Sequence, residues 1–251
     1  MNRLEVSALS RSFGGLKVVS GFSCTVGENE IVGVIGPNGS GKTTFFNLVT
    51  GFLPADAGSV LLEGKNLIGL PAWRIANLGV SRTFQIIRLI RRRSVLENVM
   101  LAFKAQPGED LFDVFFRSGK CKDRERQNQE KALGLLDYVG LSEKAKDPAD
   151  ALSYGQQKLL SLAACLASDA DLLLLDEPVA GVAPEMLEKI ISVIRDLPGK
   201  GKSVILIEHN IDMVMQVCHR VIFMDAGVKV CEGPPEQVRN APKVLEACLG
   251  R

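Results

Sequence analysis

Residues 36–43 read Gly36-Pro37-Asn38-Gly39-Ser40-Gly41-Lys42-Thr43 and fit the pattern G-x-x-x-x-G-K-[ST]. The preceding segment, Glu30 to Ile35, is nearly all apolar, as in a strand that is covered on both faces. The following segment, Thr43 to Thr50, predicts a helix that ends at Gly51. Because glycines let backbone N–H groups and a helix N-terminus point at one place, this order of strand, loop and helix predicts a phosphate-binding loop.

The ligands that such a loop predicts are a nucleoside triphosphate and Mg²⁺. Lys42 should reach the β and γ phosphates, and Thr43 should ligate the metal. The alternative is an ordinary glycine turn before a helix, but the four fixed positions arise by chance in only about one chain in a hundred of this length. The predicted nucleotide-binding residues of the loop and helix are Gly36, Pro37, Asn38, Gly39, Ser40, Gly41, Lys42, Thr43 and Thr44.

A second apolar segment, the predicted strand Asp171 to Leu175, ends in two acidic residues, Asp176 and Glu177. Open α/β sheets bind ligands at the carboxyl ends of their strands. Since neighbouring strand residues face opposite ways, we assign Asp176 to Mg²⁺ and Glu177 to the proton of the attacking water. Alone, such a pair is more often a solvated turn, but the glycine loop favours the catalytic interpretation.

The remaining pattern predicts a doubly wound α/β fold whose start is antiparallel. The expected elements are strands at Leu4–Leu9, Phe22–Val26 and Ser203–Ile207, an edge strand at Ser59–Leu62, helices from Pro71, Pro184 and Asn210, and a strand pair around Ala226-Gly227.

Residues 86–150 differ from this alternation and predict an inserted helical subdomain. Ser94-x-x-Glu97 is a capping-box signature, and the charged segment Lys120 to Lys131 leads into another helical pattern. We therefore predict one domain over residues 1–251. Its α/β P-loop NTPase core and antiparallel β subdomain comprise residues 1–85 and 151–251, and the helical insertion comprises residues 86–150.

Composition limits the functions that are open to the chain. With 30 Lys plus Arg against 29 Asp plus Glu, the 251 residues carry a net charge of +1, which offers no whole-chain attraction for nucleic acid. The apolar runs fall short of the roughly 18 residues of a spanning helix, and Glu5 interrupts the N-terminus before an apolar signal could form. We expect an intracellular chain without membrane spans.

The six cysteines, at positions 24, 121, 165, 218, 231 and 248, include no C-x-x-C pair. We interpret them as reduced thiols, with a zinc or redox site as the alternative.

The segment Leu152-Ser153-Tyr154-Gly155-Gln156 resembles Leu-Ser-Gly-Gly-Gln, the signature motif of ATP-binding cassette proteins, with Tyr154 in place of the first glycine. A helix that starts there forms a second anion-binding N-terminus. By this resemblance, Ser153, Gly155 and Gln156 act on the ATP of a partner subunit.

The same resemblance implies further site residues. Phe13 would stack on adenine, although an ordinary core phenylalanine is the alternative. Gln85 would contact Mg²⁺ and water, and His209 would contact the γ-phosphate and orient Glu177, although a lone histidine at a strand end is usually inert. The implied catalytic residues are thus Glu177, His209 and Gln85, and the implied metal ligands are Thr43, Gln85 and Asp176.

Two segments depart from the family pattern or leave it open. The loop that crosses the dimer interface in that family has Ala183 where a polar residue is expected. The arginines at positions 88, 91, 92 and 93 fit either a solvated face or a contact with a membrane partner or anionic headgroups.

Taken together, Phe13 to Leu16, the glycine loop, Arg82 to Gln85, the signature segment and Ile207 to His209 resemble the first of two ATPase subunits in bacterial importers of branched-chain amino acids. The resemblance implies ATP and Mg²⁺ as cofactors, a second ATPase subunit that is identical or a sibling, and transmembrane permease subunits. It also implies an indirect partner, a periplasmic or extracellular solute-binding protein, and a peripheral position on the cytoplasmic face of the membrane.

Two alternatives stay open at this point. A cassette of the same branch could serve urea, another amide or a lipid, because the cargo never touches this subunit. A soluble cassette ATPase that acts on DNA or ribosomes is opposed by the single P-loop, the lack of heptad arms and the neutral charge.

Overall fold

Ten strands form the frame of the chain, which the computed structural model describes over residues 1–85, 87–104 and 118–249. They are β1 (Asn2–Phe13), β2 (Leu16–Gly27), β3 (Ile31–Ile35), β4 (Ala57–Leu62), β5 (Lys65–Asn66), β6 (Val80–Arg82), β7 (Leu172–Asp176), β8 (Ser203–Ile207), β9 (Arg220–Asp225) and β10 (Val228–Gly233).

The strands form two sheets. The smaller sheet is antiparallel, in the order β2-β1-β4-β5. The larger sheet has the order β10-β9-β3-β8-β7-β6 and is parallel except for β10. The parallel strands of the larger sheet confirm the predicted α/β class, and the antiparallel pairing of β1 with β2 confirms the antiparallel start.

Helices connect the strands. They are α1 (Lys42–Val49), α2 (Ala72–Asn77), α3 (Val95–Met100), α4 (Ser118–Tyr138), α5 (Tyr154–Ala167), α6 (Pro184–Asp196), α7 (Ile211–Val217), α8 (Pro235–Arg239) and α9 (Pro242–Leu249). The predicted capping box is confirmed at α3, where the Ser94 hydroxyl accepts from the Glu97 N–H at 3.1 Å and the Glu97 carboxylate accepts from the Ser94 N–H at 2.8 Å.

The larger sheet separates two hydrophobic cores. Along β7, Leu172 and Leu174 face the core shared with α1 and the smaller sheet, whereas Leu173 and Leu175 face the core shared with α3 to α7. A strand buried on both faces therefore reads as a continuous apolar run, and the same alternation is found in β3 and β8.

Several predicted elements differ from the structure. The first two strands are longer than expected and meet at Gly14-Gly15, where both backbones are left-handed, with φ of 53° and 88°. The edge position of Ser59–Leu62 is wrong, because the short strand β5 pairs back onto β4. Strands β5 and β6 and helices α8 and α9 were not predicted; both strands and α8 have at most five residues, too few to give a periodic pattern. Residues 86 and 105–117 of the predicted insertion lie outside the described residues.

No helix among the described residues is both long enough and apolar enough to span a membrane. Cys24, Cys165, Cys218 and Cys231 are free thiols, and no group of three or more His, Cys, Asp or Glu side chains in the described part of the chain is placed to hold a metal.

Candidate functional site

The glycine loop joins the end of β3 to the start of α1. Gly41 is the N-cap of α1 with φ of 103°, and a methyl group there would lie 2.4 Å from the carbonyl oxygen of Val18 on β2. Gly39 is also left-handed, with φ of 81°. No side chain caps α1, and the N-terminus of a helix attracts an anion such as a phosphate oxygen. The loop therefore requires glycine at these positions and has the form of an anion cradle.

The buried side chain of Lys42 turns back onto this loop. Its ammonium donates to the carbonyl oxygens of Gly36 and Pro37, both at 2.9 Å, and to the Ser40 hydroxyl at 3.4 Å. A positive charge is thus held among neutral acceptors inside the cradle. Anionic phosphate oxygens are stronger partners for an ammonium than these carbonyls.

Asp176 ends β7 and is buried beside Arg82 of β6. The Arg82 guanidinium donates to Asp176 Oδ2 at 2.8 Å and to Asn47 Oδ1 of α1 at 2.7 Å. The other carboxylate oxygen, Oδ1, is buried without a hydrogen-bond partner among the described residues. A carboxylate oxygen left unpaired in this way fits a hard cation such as Mg²⁺.

Thr43, the predicted metal ligand that belongs to the glycine loop, lies in the first turn of α1. It precedes Asn47 by one helical turn, so both residues lie on one face of α1. Since Arg82 ties Asn47 to Asp176, the structure connects this face of α1 with the end of β7.

Glu177 follows β7 instead of lying in it. Its backbone is left-handed, with φ of 49°, and its N–H donates to the carbonyl of Ile207 in β8 at 2.9 Å. The prediction that strand alternation separates Asp176 from Glu177 was therefore wrong, because the chain turns between them. Left-handed backbone in a glutamate is unfavourable and persists only where surrounding contacts hold it.

Gln85 and His209 both contact the Glu177 carboxylate. The Gln85 side-chain amide donates to Glu177 Oε2 at 2.8 Å, and His209 Nε2 lies 3.0 Å from Glu177 Oε1. The two residues follow β6 and β8, the strands on either side of β7. The structure thus brings the three predicted catalytic residues together at one end of the parallel sheet.

Phe13 lies at the tip of the β1–β2 hairpin and is 42% exposed. The guanidinium of Arg11 stands 4.9 Å from the centre of its ring. The same hairpin carries Val18, which packs against Gly41 of the loop. Phe13 therefore presents an exposed aromatic ring on the strand pair that borders the phosphate cradle.

The signature segment opens α5 through a capping box. The Ser153 hydroxyl accepts from the Gln156 N–H at 3.4 Å, and the Gln156 side chain accepts from the Ser153 N–H at 2.9 Å. Gly155 is buried, and a methyl group there would lie 2.9 Å from Cβ of Met186 on α6. Ser153 and Gln156 thus begin the helix, while Gly155 allows α5 and α6 to approach closely.

The sequence alone assigns no definite role to the arginines of residues 88–93 or to Ala183. Arg88 stands 3.8 Å from the centre of the Phe84 ring, and Arg93 pairs with Glu97 at 2.8 Å. Ala183 is the N-cap of α6 and contributes no side-chain hydrogen bond there.

Three buried charged residues near Glu177 were not predicted as site residues: Arg82, Lys158 and Glu208. Arg82 is described above. Lys158 of α5 donates to the carbonyl oxygen of Glu177 at 2.9 Å, and Glu208 accepts from backbone N–H groups of two loops. The available signal was a charge inside an apolar segment, such as Leu159 and Leu160 after Lys158.

Comparison with known proteins places this geometry in a family. The family described as ABC transporter matches residues 19–180. The chain is 38% identical over 248 residues to the high-affinity branched-chain amino acid transport ATP-binding protein BraF of Pseudomonas aeruginosa, covering 98% of this chain and 97% of that protein. It is 39% identical over 250 residues to a probable branched-chain amino acid transport ATP-binding protein, LivG, of Archaeoglobus fulgidus, covering 100% and 96%.

Solved structures agree with these relatives. The ADP conformation of an ATP-binding cassette of an ABC transporter superposes with a TM-score of 0.86, at 32% identity and covering 100% of both chains. The chain therefore belongs to the ABC transporter family, as one of its ATP-binding cassettes, the subunits that hydrolyse ATP.

Proposed function

We propose that this cassette drives the import of branched-chain amino acids, with Glu177 as the general base of ATP hydrolysis. The observation that carries the mechanism is the convergence of Gln85 and His209 on the Glu177 carboxylate, at the end of a strand that also delivers Asp176. The cargo rests on the names of relatives that match this chain over nearly its whole length.

In this mechanism Phe13 stacks on adenine, and residues 36–44 wrap the phosphates with backbone N–H groups. Lys42 exchanges its carbonyl partners for the β and γ phosphates. Glu177 accepts the proton of the attacking water, while His209 and Gln85 fix the orientation of its carboxylate.

Mg²⁺ would be held by Thr43, Asp176 and Gln85 and would neutralise charge on the phosphates. The unpaired oxygen of Asp176 is the feature that fits this role. Arg82 occupies the opposite oxygen, so only one side of this carboxylate is left for a cation.

The cassette works in a pair, in this proposal. Ser153, Gly155 and Gln156 begin a helix whose N-terminus suits a phosphate of the partner subunit, which is a second copy or a sibling cassette. Residues 1–85 and 151–251 form the nucleotide-binding core of each subunit, and residues 86–150 form the insertion that faces the membrane partner.

A groove of about 820 Å³ beside the Gln85 segment is the proposed contact with the permease. It is lined by Phe52, Trp73 and Phe84, and Trp73 is 67% exposed. An apolar groove of this kind suits a helix of a partner protein. The cassette would therefore sit on the cytoplasmic face of the membrane, and a solute-binding protein would act on the complex only indirectly.

The decisive variant is Glu177→Gln, which keeps the shape of the side chain but removes the base. We expect phosphate release from ATP to fall at least about a hundredfold, while ATP affinity is retained and an ATP-bound dimer accumulates. Glu185→Gln is the matched control, because Glu185 lies exposed in the first turn of α6. Unchanged turnover in Glu177→Gln would contradict the assignment.

Cargo is tested separately, in cells that carry Glu177→Gln in place of the native gene. Loss of radiolabelled leucine uptake, with Glu185→Gln unaffected, supports the amino-acid importer. Normal leucine uptake together with loss of urea or amide uptake would favour the other cargo of the same branch.

A further inference from the structure

Helix α5 lies along the segment that holds Glu177. A methyl group at Gly181 would lie 3.3 Å from the Tyr154 ring, and Gly155 packs on Val182 and Met186. One turn further into α5, Lys158 reaches the carbonyl oxygen of Glu177. The first two turns of α5 thus follow the chain from Glu177 into α6.

Lys158 is unusual among these contacts because its charge is buried. The residue is 4% exposed, and its ammonium donates to Glu177 O at 2.9 Å while lying 5.5 Å from the centre of the Tyr154 ring. Burying an ammonium is costly unless it is paired and hydrogen-bonded. Burial lowers the pKa of Lys158. The negative charges of Glu208, Glu177 and Asp176 raise this pKa and so oppose the effect of burial.

The hydrogen bond from Lys158 is made to Glu177, the residue of the site whose backbone is strained. Glu177 has the left-handed backbone described above, and its N–H is already held by Ile207 O at 2.9 Å. With Lys158 on its carbonyl, Glu177 is anchored on both sides of its Cα atom. Its side chain is then aimed at Gln85 and His209.

We propose that Lys158 is a positioning residue that ties the signature helix α5 to the backbone of Glu177, so that the placement of α5 sets the aim of the catalytic carboxylate. This inference rests on the proposed function of Glu177 and adds a residue that neither touches nucleotide nor exchanges a proton. The N-terminus of α5 is the proposed contact with the nucleotide of the partner subunit. Lys158 therefore links the partner's site to the chain's own site.

The main test compares Lys158→Met with the wild-type chain. We expect kcat to fall at least about tenfold, because small displacements of a catalytic group cost this much or more, while the dissociation constant for ATP changes less than about twofold. Lys158→Arg keeps a charged donor and should stay within about threefold of wild-type kcat. Lys158→Gln, which keeps a polar side chain but cannot reach Glu177 O, should behave as Lys158→Met does and serves if the methionine variant fails to fold.

Lys202→Met is the matched control. The Lys202 side chain is also largely buried, with 14% of it exposed, and its ammonium pairs with Asp169 and Asp171 at 3.4 Å. These residues precede β7 and β8, at the opposite ends of the strands from Glu177 and His209. Its kcat should stay within about twofold of wild type.

A second measurement distinguishes positioning from a general structural role. In a Glu177→Gln background, Lys158→Met should lower the residual single-turnover rate by less than about twofold, because Lys158 acts through Glu177. A tenfold further loss in that background, an unchanged kcat in the single variant, or equal losses of kcat and ATP affinity would each overturn the inference. If the wild-type and Lys202→Met chains do not hydrolyse ATP, the proposed function fails instead.

Discussion

At the scale of single residues, Arg82 holds the carboxylate that we propose as a metal ligand. Its guanidinium bridges Asp176 and Asn47 and stands 5.3 and 5.0 Å from the ring centres of Phe46 and Phe84. Planar geometry and several donors make arginine suited to this position. One oxygen of Asp176 is thereby occupied and the other is left for a cation.

Replacing Arg82 by Met should leave the buried Asp176 carboxylate without its hydrogen-bonded counter-charge. We expect the free energy of unfolding to fall by about 3 kcal/mol, because removal of one partner strands a buried charge. Urea denaturation with and without Mg²⁺ and ATP measures this. Addition of both ligands should recover part of the loss, since a cation at Asp176 replaces the missing charge.

The control for this prediction is Arg11→Met. Arg11 pairs with Asp56 at 2.7 Å at the surface, where 42% of the Asp56 side chain is exposed. Its removal should cost less than about 1 kcal/mol. Equal losses in the two variants would contradict the role assigned to the Arg82 pair.

At the scale of elements, Glu208 joins the loops that follow β7 and β8. Its Oε1 accepts from the Val179 N–H at 3.0 Å, and its Oε2 accepts from the His209 and Asn210 N–H groups at 3.0 and 3.3 Å. Val179 belongs to the loop after Glu177. One buried carboxylate therefore fixes the spacing between the loop of the proposed base and that of His209.

The titration of Glu208 makes this connection between the two loops sensitive to pH. Burial raises the pKa of Glu208 and outweighs the three backbone hydrogen bonds, which lower it. The folded state then binds more protons than the unfolded state, so this residue's contribution to stability is full in acid and is lost as the pH rises through the raised pKa.

Glu208→Gln removes that titration. The side-chain amide of the variant faces backbone N–H groups and lowers the stability by an amount that does not depend on pH. The test is therefore the slope of the stability difference against pH. As the pH rises from acid through the raised pKa of Glu208, the stability of Glu208→Gln relative to wild type should rise, by at most about 1.4 kcal/mol per pH unit. Urea denaturation at each pH measures it, with Glu188→Gln on the exposed surface of α6 as the control. A falling difference would refute the assignment.

At the scale of the whole molecule, the two segments that are proposed to bind nucleotide lie on different elements. The phosphate loop precedes α1, whereas the signature segment begins α5, and each α-helical N-terminus is suited to an anion. In the proposed pair, each subunit supplies one of these N-termini to each nucleotide. In that arrangement a single subunit would carry two incomplete sites.

A charge placed at Ser153 should prevent pairing. In the Glu177→Gln background, Ser153→Glu should remain monomeric with ATP, because a carboxylate repels the partner's phosphates, while ATP binding by the single chain is unchanged. Sedimentation velocity measures the assembly. Ser192→Glu, exposed on α6, should still give an ATP-dependent dimer. A dimer of Ser153→Glu would contradict the sandwich.

Much of the fold followed from local pattern. The three five-residue strands β3, β7 and β8 are buried on both faces, so each reads as an unbroken apolar run that the sequence makes visible. Strand β6 has three residues and only Val80 is fully buried, so it carries no such pattern. It forms a strand because it pairs with β7, a contact that arises only in the tertiary structure.

The sequence by itself predicted the glycine loop, the acidic pair at the end of β7 and the start of α5, because each depends on residue types at fixed spacing within one short segment. Only the tertiary structure decided which distant residues meet. Gln85 lies 92 positions from Glu177, and they touch because β6 and β7 are neighbours in the sheet. The hydrogen bonds of Arg82, Lys158 and Glu208 depend on the tertiary structure in the same way. A buried charge requires a partner, but the sequence does not show which residue that partner is.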